Sequence, residues 1–376
     1  MSISATDFDF MALAFRLAER GLYTTMPNPR VGCVLVKNGD VIAEGWHERA
    51  GEGHAEANAL RAAGDNARGA TAYVSLEPCS HTGRTGPCAQ ALVDAGVARV
   101  VYAMEDPNPL VSGNGIALLR AAGIEVDGPV LEDDARALNP GFIKRMERKR
   151  PLVRCKMAMS LDGRTAMESG ESKWITGPKA RADVQRLRAR SCAIVSGVDS
   201  LLQDNASLTV RADELGLPDT QAQAAAAKQP LRVILDSRLR TPRNALMFKQ
   251  STPILLVHNG QVEESQLAGW PEFVEFLALP AKDGRIDLQA LISELARRQC
   301  NEVLVEAGAT LAGSFLRRGL LDEIIVYMAP KLLGNKARGL FELPLDTMSS
   351  SLALKIKDIC AVGRDWRITA VPDTEY

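Results

Sequence analysis

The sequence has little of what directs a protein to nucleic acid. Aromatic residues make up only 5% of the 376 residues, and 45 basic residues are balanced by 46 acidic ones, which gives a formal net charge of −1. A nucleic-acid-binding surface combines an excess of basic residues with aromatic side chains that stack on bases. This composition therefore argues against nucleic acid and favours small molecules as partners.

Long apolar runs are also missing. No stretch approaches the roughly 20 consecutive apolar residues that a membrane-spanning helix needs. The N-terminal MSISATDFDF carries acidic residues where a secretory signal carries basic residues and a long apolar core. The seven cysteines are an odd number spread along the chain, unlike the dense spacing of a disulfide scaffold. We expect a cytoplasmic protein that binds no membrane and whose thiols are reduced or ligate a metal.

The length predicts two domains, because 376 residues exceed the usual size of a single hydrophobic core. A basic run, KRMERKRPLV at 144–153, ends in a proline before a new apolar segment begins. We place the boundary there, which gives a first domain over 1–149 and a second over 150–376. In the first domain, helical and extended patterns alternate as far as Val126, which predicts a three-layer α/β/α domain.

The second domain has a different pattern. Apolar runs rich in β-branched residues recur, with helical patterns between some of them, and the tail at 354–371 has the pattern of a hairpin. This predicts a second α/β domain. The Ala/Gln-rich segment at 220–230 is interpreted as a surface helix or loop without a chemical role.

Three residues of the first domain offer the donor atoms that zinc prefers. His54 stands at a predicted helix start, Cys79 follows a predicted strand, and Cys88 opens another predicted helix. One imidazole nitrogen and two thiolates leave a fourth tetrahedral position open for water. Glu56 is then available as the base that moves a proton from this water to a leaving group. The order H-x-E, strand, Pro-Cys, Cys is the signature of the zinc nucleobase deaminases, with one zinc per chain.

With these motifs the chain resembles the bifunctional deaminase/reductase family of riboflavin biosynthesis. Eight residues, SHTGRTGP, separate Cys79 from Cys88, an insertion typical of that family. The resemblance implies a cytidine-deaminase-like first domain that hydrolytically removes an amino group from 2,5-diamino-6-(5-phosphoribosylamino)pyrimidin-4-one, with Glu56 transferring the proton. It also implies substrate contacts by polar residues from three loops and the end of a strand, namely Asn28, His47, His81, Arg84, Asp106 and Asn108. From the residues alone, a simple turn position beside proline is an alternative interpretation of Asn28 and Asn108.

In the second domain, VEAGATLAGSFL at 305–316 has the pattern of a strand, a small-residue turn and a helix start. Such a turn presents backbone N–H groups to a phosphate, but a plain strand-to-helix turn has the same pattern. Further segments, among them KMAMSLDGRTA, GESKWITG and SGVDSLLQDNASLTVR, resemble the dihydrofolate-reductase-like domain of the same family. The resemblance implies NADPH as cofactor and hydride transfer to C1′ of the ring-opened ribosylamino group.

The same resemblance implies a set of contacts in the second domain. The cofactor contacts are Ala158, Trp174, Ser200, Asp204, Ser237 and the loop formed by Gly308, Ala309, Thr310, Leu311, Ala312, Gly313 and Ser314. The substrate contacts are Ser172, Arg188, Leu208, Arg211 and Glu306. The guanidinium groups among them suit a sugar phosphate. Candidates for the 2′-phosphate of NADPH are Ser237, Arg238 and Arg240. Lys156 and Asp204 are alternative proton donors, but a solvated lysine and a capping aspartate fit the same sequence equally well.

Two other interpretations share the zinc site. A nucleic-acid deaminase of the tRNA-editing type, with an accessory domain, would leave more than half of the chain unexplained. A structural zinc module attached to a nucleotide-sensing domain requires a fourth protein ligand, for which His81 is the candidate nearby in the sequence. A homodimer or higher homo-oligomer formed through the second domain is a further hypothesis.

Overall fold

The computed structural model describes residues 3–80, 86–109, 111–282 and 284–373. The chain separates into two compact units, Met1–Lys149 and Arg150–Tyr376, which we call the N-terminal unit and the C-terminal unit. In the described part of the chain, no helix combines the length and the apolar composition that crossing a membrane requires.

The N-terminal unit alternates helices and strands. In chain order these are α1 (Ala5–Glu19), β1 (Gly32–Lys37), β2 (Asp40–Trp46), α2 (Ala55–Ala63), β3 (Thr71–Val74), α3 (Cys88–Asp94), β4 (Arg99–Tyr102), α4 (Asn114–Ala121), β5 (Glu125–Asp127), α5 (Glu132–Leu138) and α6 (Pro140–Arg148).

The strands of this unit form one sheet with the order β2-β1-β3-β4-β5. Strand β1 is antiparallel to β2 and β3, whereas β3, β4 and β5 are parallel. Alternate strand residues enter two separate cores: Leu35 packs with α2, α3 and α4, while Val34 packs with α1 and α6. The three-layer α/β/α architecture is therefore confirmed.

The C-terminal unit is built around a larger sheet. Its elements are β6 (Leu152–Ser160), β7 (Arg164–Ala166), α7 (Pro178–Ala189), β8 (Ala193–Gly197), α8 (Val198–Asp204), α9 (Asp219–Ala227), β9 (Leu231–Leu235), β10 (Ile254–His258), α10 (Glu264–Leu267), β11 (Val274–Ala278), β12 (Ala281–Lys282), β13 (Arg285–Ile286), α11 (Leu288–Arg297), β14 (Glu302–Val305), α12 (Ala309–Arg317), β15 (Glu323–Ala329), β16 (Arg338–Gly339), β17 (Leu354–Val362) and β18 (Asp365–Pro372).

The main sheet of this unit has nine strands in the order β11-β10-β9-β8-β14-β6-β15-β18-β17. Its strands are parallel from β11 to β15, and the predicted hairpin β17–β18 joins antiparallel at one edge. Helices α11 and α12 pack on one face, and α7 and α8 pack on the other. Active sites of such sheets lie beyond the carboxyl ends of the parallel strands.

Three features differ from the sequence prediction. The basic run at 144–149 largely belongs to α6, whose Phe142 and Ile143 are buried, and α5 precedes it where no helix was predicted. Strand β11 was also missed. The predicted cofactor loop over 308–314 is helical from Ala309 onward, because its small and apolar residues place one face of α12 against the core.

Candidate functional sites

The three predicted metal ligands come together in the N-terminal unit. His54 caps the start of α2, and its Nδ1 lies 3.6 Å from Sγ of Cys79 and 3.3 Å from Sγ of Cys88. Cys88 is the first residue of α3, and its backbone N–H donates to Sγ of Cys79 at 3.4 Å. A helix N-terminus stabilises a nearby thiolate. The side chains of Cys88 and His54, and to a smaller extent the Cys88 N–H, lower the pKa of Cys79 against the opposing effect of burial.

This donor set fits zinc. With Zn–S bonds of about 2.3 Å and Zn–N bonds of about 2.0 Å, a tetrahedral site separates nitrogen from sulfur by roughly 3.5 Å. The two measured separations, 3.6 and 3.3 Å, agree with that value. Within the described residues, the cluster of potential metal ligands consists of His54, Cys79 and Cys88. A catalytic zinc has three protein ligands and an open position.

Glu56 lies beside this cluster without belonging to it. It is the second residue of α2 and is 3% exposed. Glu56 is two residues after the ligand His54. Because α2 begins at His54, its first turn brings the two side chains close together. Burial raises the pKa of the Glu56 carboxyl to about 7, and the charge of Cys79 adds to the rise.

Asn28 and His47 form a chain of hydrogen bonds that ends next to His54, the first of the three ligands. Nδ1 of His47 lies 3.1 Å from the Gly53 carbonyl, and its Nε2 lies 3.1 Å from Nδ2 of Asn28. A carbonyl only accepts, so Nδ1 carries the proton and Nε2 accepts from the Asn28 amide. Burial lowers the pKa of His47, which favours this neutral form. The Asn28 amide is thereby oriented, and its Oδ1 is kept as an acceptor.

Sequence reasoning missed Glu77, which organises the neighbouring loop. Its buried carboxylate accepts the backbone N–H groups of Asp106, Gly113 and Gly115 at 3.1, 3.0 and 2.9 Å. At Gly115 a Cβ would lie 1.9 Å from the Pro78 carbonyl oxygen, so the close approach requires glycine. Glu77 precedes the Pro-Cys motif directly, and this position beside the motif was the available signal, although it does not reveal the contacts of the carboxylate.

Asp106 and Asn108 lie in the loop that Glu77 holds. Asp106 is buried, and its Oδ1 accepts the backbone N–H of Asn108 at 2.8 Å, while Asn108 is half-buried. Burial raises the pKa of Asp106 to about 7. The other two predicted contacts, His81 and Arg84, lie outside the described residues.

A cavity of about 1250 Å³ opens at the carboxyl ends of β8, β9 and β14 in the C-terminal unit. It exceeds the roughly 300–1,000 Å³ of a typical small-ligand pocket, which suits a dinucleotide and a substrate side by side. The sequence-predicted residues that line it are Lys156, Ala158, Ser172, Trp174, Arg188, Ser200, Asp204, Leu208, Arg211, Ser237, Glu306, Gly308, Ala309, Thr310, Leu311 and Ser314.

Charged side chains line part of this cavity. The Arg188 guanidinium donates to both carboxylate oxygens of Glu306 at 2.6 and 2.9 Å, and to the Thr209 carbonyl at 3.1 Å. Burial by itself would raise the pKa of Glu306, but Arg188 outweighs it and the net shift is downward. Burial lowers the pKa of Lys156, against the opposing effect of Glu306.

Further predicted contacts line the same cavity. Oγ of Ser200 accepts the Gly308 N–H at 3.2 Å, which ties α8 to this helix start. The Arg181 guanidinium lies 4.7 Å above the exposed ring of Trp174. Oγ of Ser172 donates to Asp204 at 3.4 Å.

Four of the predicted cofactor contacts lie elsewhere. Ala312 is fully buried in the core, and Gly313 packs against the backbone of Glu342, so neither lines the cavity. Their position on the inner face of α12 explains this. Arg238 and Arg240 are exposed and also do not line it, and Arg240 pairs with Asp199 at 2.7 Å.

Both units match known families. Residues 151–368 match the family described as RibD C-terminal domain, and residues 4–104 match the cytidine and deoxycytidylate deaminase zinc-binding region. The two alternative interpretations account for the zinc region but not for the match over 151–368.

Full-length relatives show the same arrangement. The riboflavin biosynthesis protein RibD of Haemophilus influenzae is 48% identical over 376 residues, 99% of each chain. The solved structure of Acinetobacter baumannii RibD, form 1, has a TM-score of 0.90 and 46% identity, covering 98% of this chain and 99% of that one. A Thermotoga maritima structure described as a diaminohydroxyphosphoribosylaminopyrimidine deaminase/5-amino-6-(5-phosphoribosylamino)uracil reductase has a TM-score of 0.84 and 33% identity, with coverages of 98% and 99%.

These matches cover both halves of the chain. The zinc-region match includes the three clustered ligands, and the reductase match includes the large cavity. The deaminase uses zinc and the reductase uses NADPH. The chain therefore belongs to the RibD family of bifunctional riboflavin-biosynthesis enzymes, which combine a deaminase and a reductase.

Proposed function

We propose that the N-terminal unit hydrolyses the amino group of 2,5-diamino-6-(5-phosphoribosylamino)pyrimidin-4-one. The observation that carries the proposal is the cluster of His54, Cys79 and Cys88 with the buried Glu56 beside it. His54, Cys79 and Cys88 would hold zinc, which would serve as the Lewis acid that activates water. Glu56 accepts the proton of this water and delivers it to the departing ammonia, so that water and the amine give a ring carbonyl and ammonia.

The remaining polar residues of this unit are proposed to hold the substrate. Asn28 is oriented through His47, and Asp106 and Asn108 are positioned by the loop that Glu77 anchors. Two residues outside the described ranges complete the set: His81, and Arg84 as a partner for the phosphate. A guanidinium suits a phosphate because it is planar and permanently charged.

The C-terminal unit is proposed to reduce the deaminated product. NADPH would transfer hydride to C1′ of the ring-opened ribosylamino group, the adjacent nitrogen would take up a proton for which Lys156 and Asp204 are the candidate donors, and a ribityl chain would result. The start of α12, with Ala309 and Thr310, offers backbone N–H groups to the pyrophosphate, while the Gly308 N–H donates to Ser200. Arg188 and Arg211 are proposed to bind the sugar phosphate, and Ser172, Leu208 and Glu306 to complete that pocket.

A homodimer through the C-terminal unit is also proposed. Strand β17 is the edge of the nine-stranded sheet, and it exposes the apolar residues Leu354, Ile356 and Ile359. A long exposed edge strand that carries apolar side chains can pair with another chain. Sedimentation equilibrium should give twice the chain mass, and Ile356→Lys should shift the protein towards the monomer. A monomeric parent protein would contradict the proposal.

We further propose a cytoplasmic location, where the thiolate ligands stay reduced.

The activity is tested by giving the purified, zinc-loaded protein the diaminopyrimidine ribosyl phosphate with NADPH. We expect ammonia release, NADPH oxidation and a deaminated, reduced product by mass spectrometry. Treatment with a chelator should stop ammonia release but not the oxidation of NADPH when the deaminated intermediate is supplied, because zinc serves only the N-terminal unit. Absence of both signals from the untreated protein would overturn the proposed function.

A further inference from the structure

The segment 207–211 lies against the reductase cavity but is not part of the sheet. Ser207, Leu208 and Arg211 line the cavity, and the described backbone from 205 to 211 forms neither helix nor strand. Leu208 has a φ of 54°, a left-handed conformation that is unfavourable for a residue with a Cβ. Surrounding structure must therefore hold this segment in shape.

Side chains from other elements supply that support. The Ser207 carbonyl accepts from Arg232 at 3.2 Å, and the Thr209 carbonyl accepts from Arg188 at 3.1 Å. The Arg211 N–H donates to Oε1 of Gln185 at 3.1 Å. These hydrogen bonds take the place of the backbone hydrogen bonds that a strand would make with its neighbours. The position of the substrate-facing side chains therefore depends on them.

Gln229 makes the most complete of these contacts. Its Oε1 accepts the Val210 N–H at 2.8 Å, and its Nε2 donates to the Val210 carbonyl at 2.9 Å and to the Ala226 carbonyl at 2.8 Å. One amide thus pairs with both backbone groups of Val210 and ties them to the end of α9. Gln229 itself does not line the cavity, so it does not touch bound substrate.

We propose that Gln229 is a positioning residue of the reductase site, which fixes Val210 and thereby sets Leu208 and Arg211 for the sugar phosphate of the substrate. The proposal rests on the function proposed above. It gives a role to the Ala/Gln-rich segment that the sequence pattern left without one. Arg211 is adjacent to Val210 and Leu208 is two residues before it, so a small displacement of Val210 moves both substrate contacts. Misplacing a binding group by about 1 Å can slow a reaction by roughly 100-fold.

The test replaces Gln229 with Met, which keeps the length of the side chain but cannot pair with Val210. We expect the KM for the deaminated phosphoribosyl substrate to rise about tenfold, while the KM for NADPH stays within a factor of about two. Gln229→Glu keeps the acceptor for the Val210 N–H but sets a carboxylate oxygen against the Val210 carbonyl, so it should raise the substrate KM as well. Gln223→Met, at an exposed position of α9, is the matched control and should behave as the parent protein.

Ammonia release by the same molecules is the internal control, because the deaminase lies in the other unit. An unchanged substrate KM in both Gln229 variants overturns the proposal, and so does an equal rise of the KM values for substrate and NADPH, which marks a general structural role. Titration with NADPH identifies any variant whose C-terminal unit is misfolded. Such a variant is replaced by Gln229→Asn, whose side chain is one methylene shorter, and the same criteria apply to it. Failure of the parent protein to reduce the intermediate would instead reject the proposed function.

Discussion

Replacing Glu56 with Gln is expected to slow ammonia release by roughly 10²- to 10⁴-fold, the range that a general acid–base group contributes. The substitution keeps the shape of the side chain but removes its ability to accept a proton. Zinc content should be unchanged, because the three clustered ligands are His54, Cys79 and Cys88. The measurements are the rate of ammonia release and the zinc content by elemental mass spectrometry.

The control for this experiment is Glu52→Gln, at an exposed position just before α2, which should leave ammonia release near the parent rate. NADPH oxidation should also be unaffected in the Glu56→Gln protein when the deaminated intermediate is supplied. Loss of zinc would mean that Glu56 is a ligand instead of the proton carrier. Ammonia release at the parent rate would remove Glu56 from the chemistry altogether.

The zinc cluster was predictable from the sequence because each of its parts is local. His54 and Glu56 share one helix start, and Cys79 and Cys88 follow a strand and open a helix. Short-range patterns of this kind state both the chemistry and the geometry. Glu77 could not be found in the same way, since its partners begin at Asp106, and no local pattern encodes so distant a contact.

In the C-terminal unit, the resemblance between sequences indicates a cofactor loop but does not show which of its residues face the cavity. The run at 308–314 was predicted as one cofactor-binding loop, yet the helix begins at Ala309 and turns Ala312 into the core. Helical periodicity decides which residues of such a run face a ligand. Helix α6 was missed for a related reason, because its basic stretch looks exposed until the buried Phe142 and Ile143 are taken into account.

The second large effect is expected for Glu306→Gln in the reductase cavity. Its carboxylate forms both hydrogen bonds to Arg188, and the side chains of the pair are 13% and 10% exposed. Removing one partner of a buried ion pair leaves the other charge uncompensated and typically costs about 3–5 kcal/mol. The C-terminal unit should therefore unfold at lower temperature, and reduction of the deaminated intermediate should be lost. Ammonia release should persist at temperatures where the N-terminal unit is folded.

A second substitution separates the structural role of the pair from its chemical role. Arg188→Met in the Glu306→Gln background removes the uncompensated guanidinium, so much of the lost stability should return, because a buried pair and its neutral replacement are often close in energy. Reductase activity should not return, since Arg188 is proposed to bind the sugar phosphate. Thermal unfolding and NADPH oxidation of the parent, the two single variants and the double variant complete the cycle. Recovered reduction in the double variant would show that Arg188 does not bind the phosphate, and equal stability of all four proteins would show that the ion pair contributes nothing to the fold.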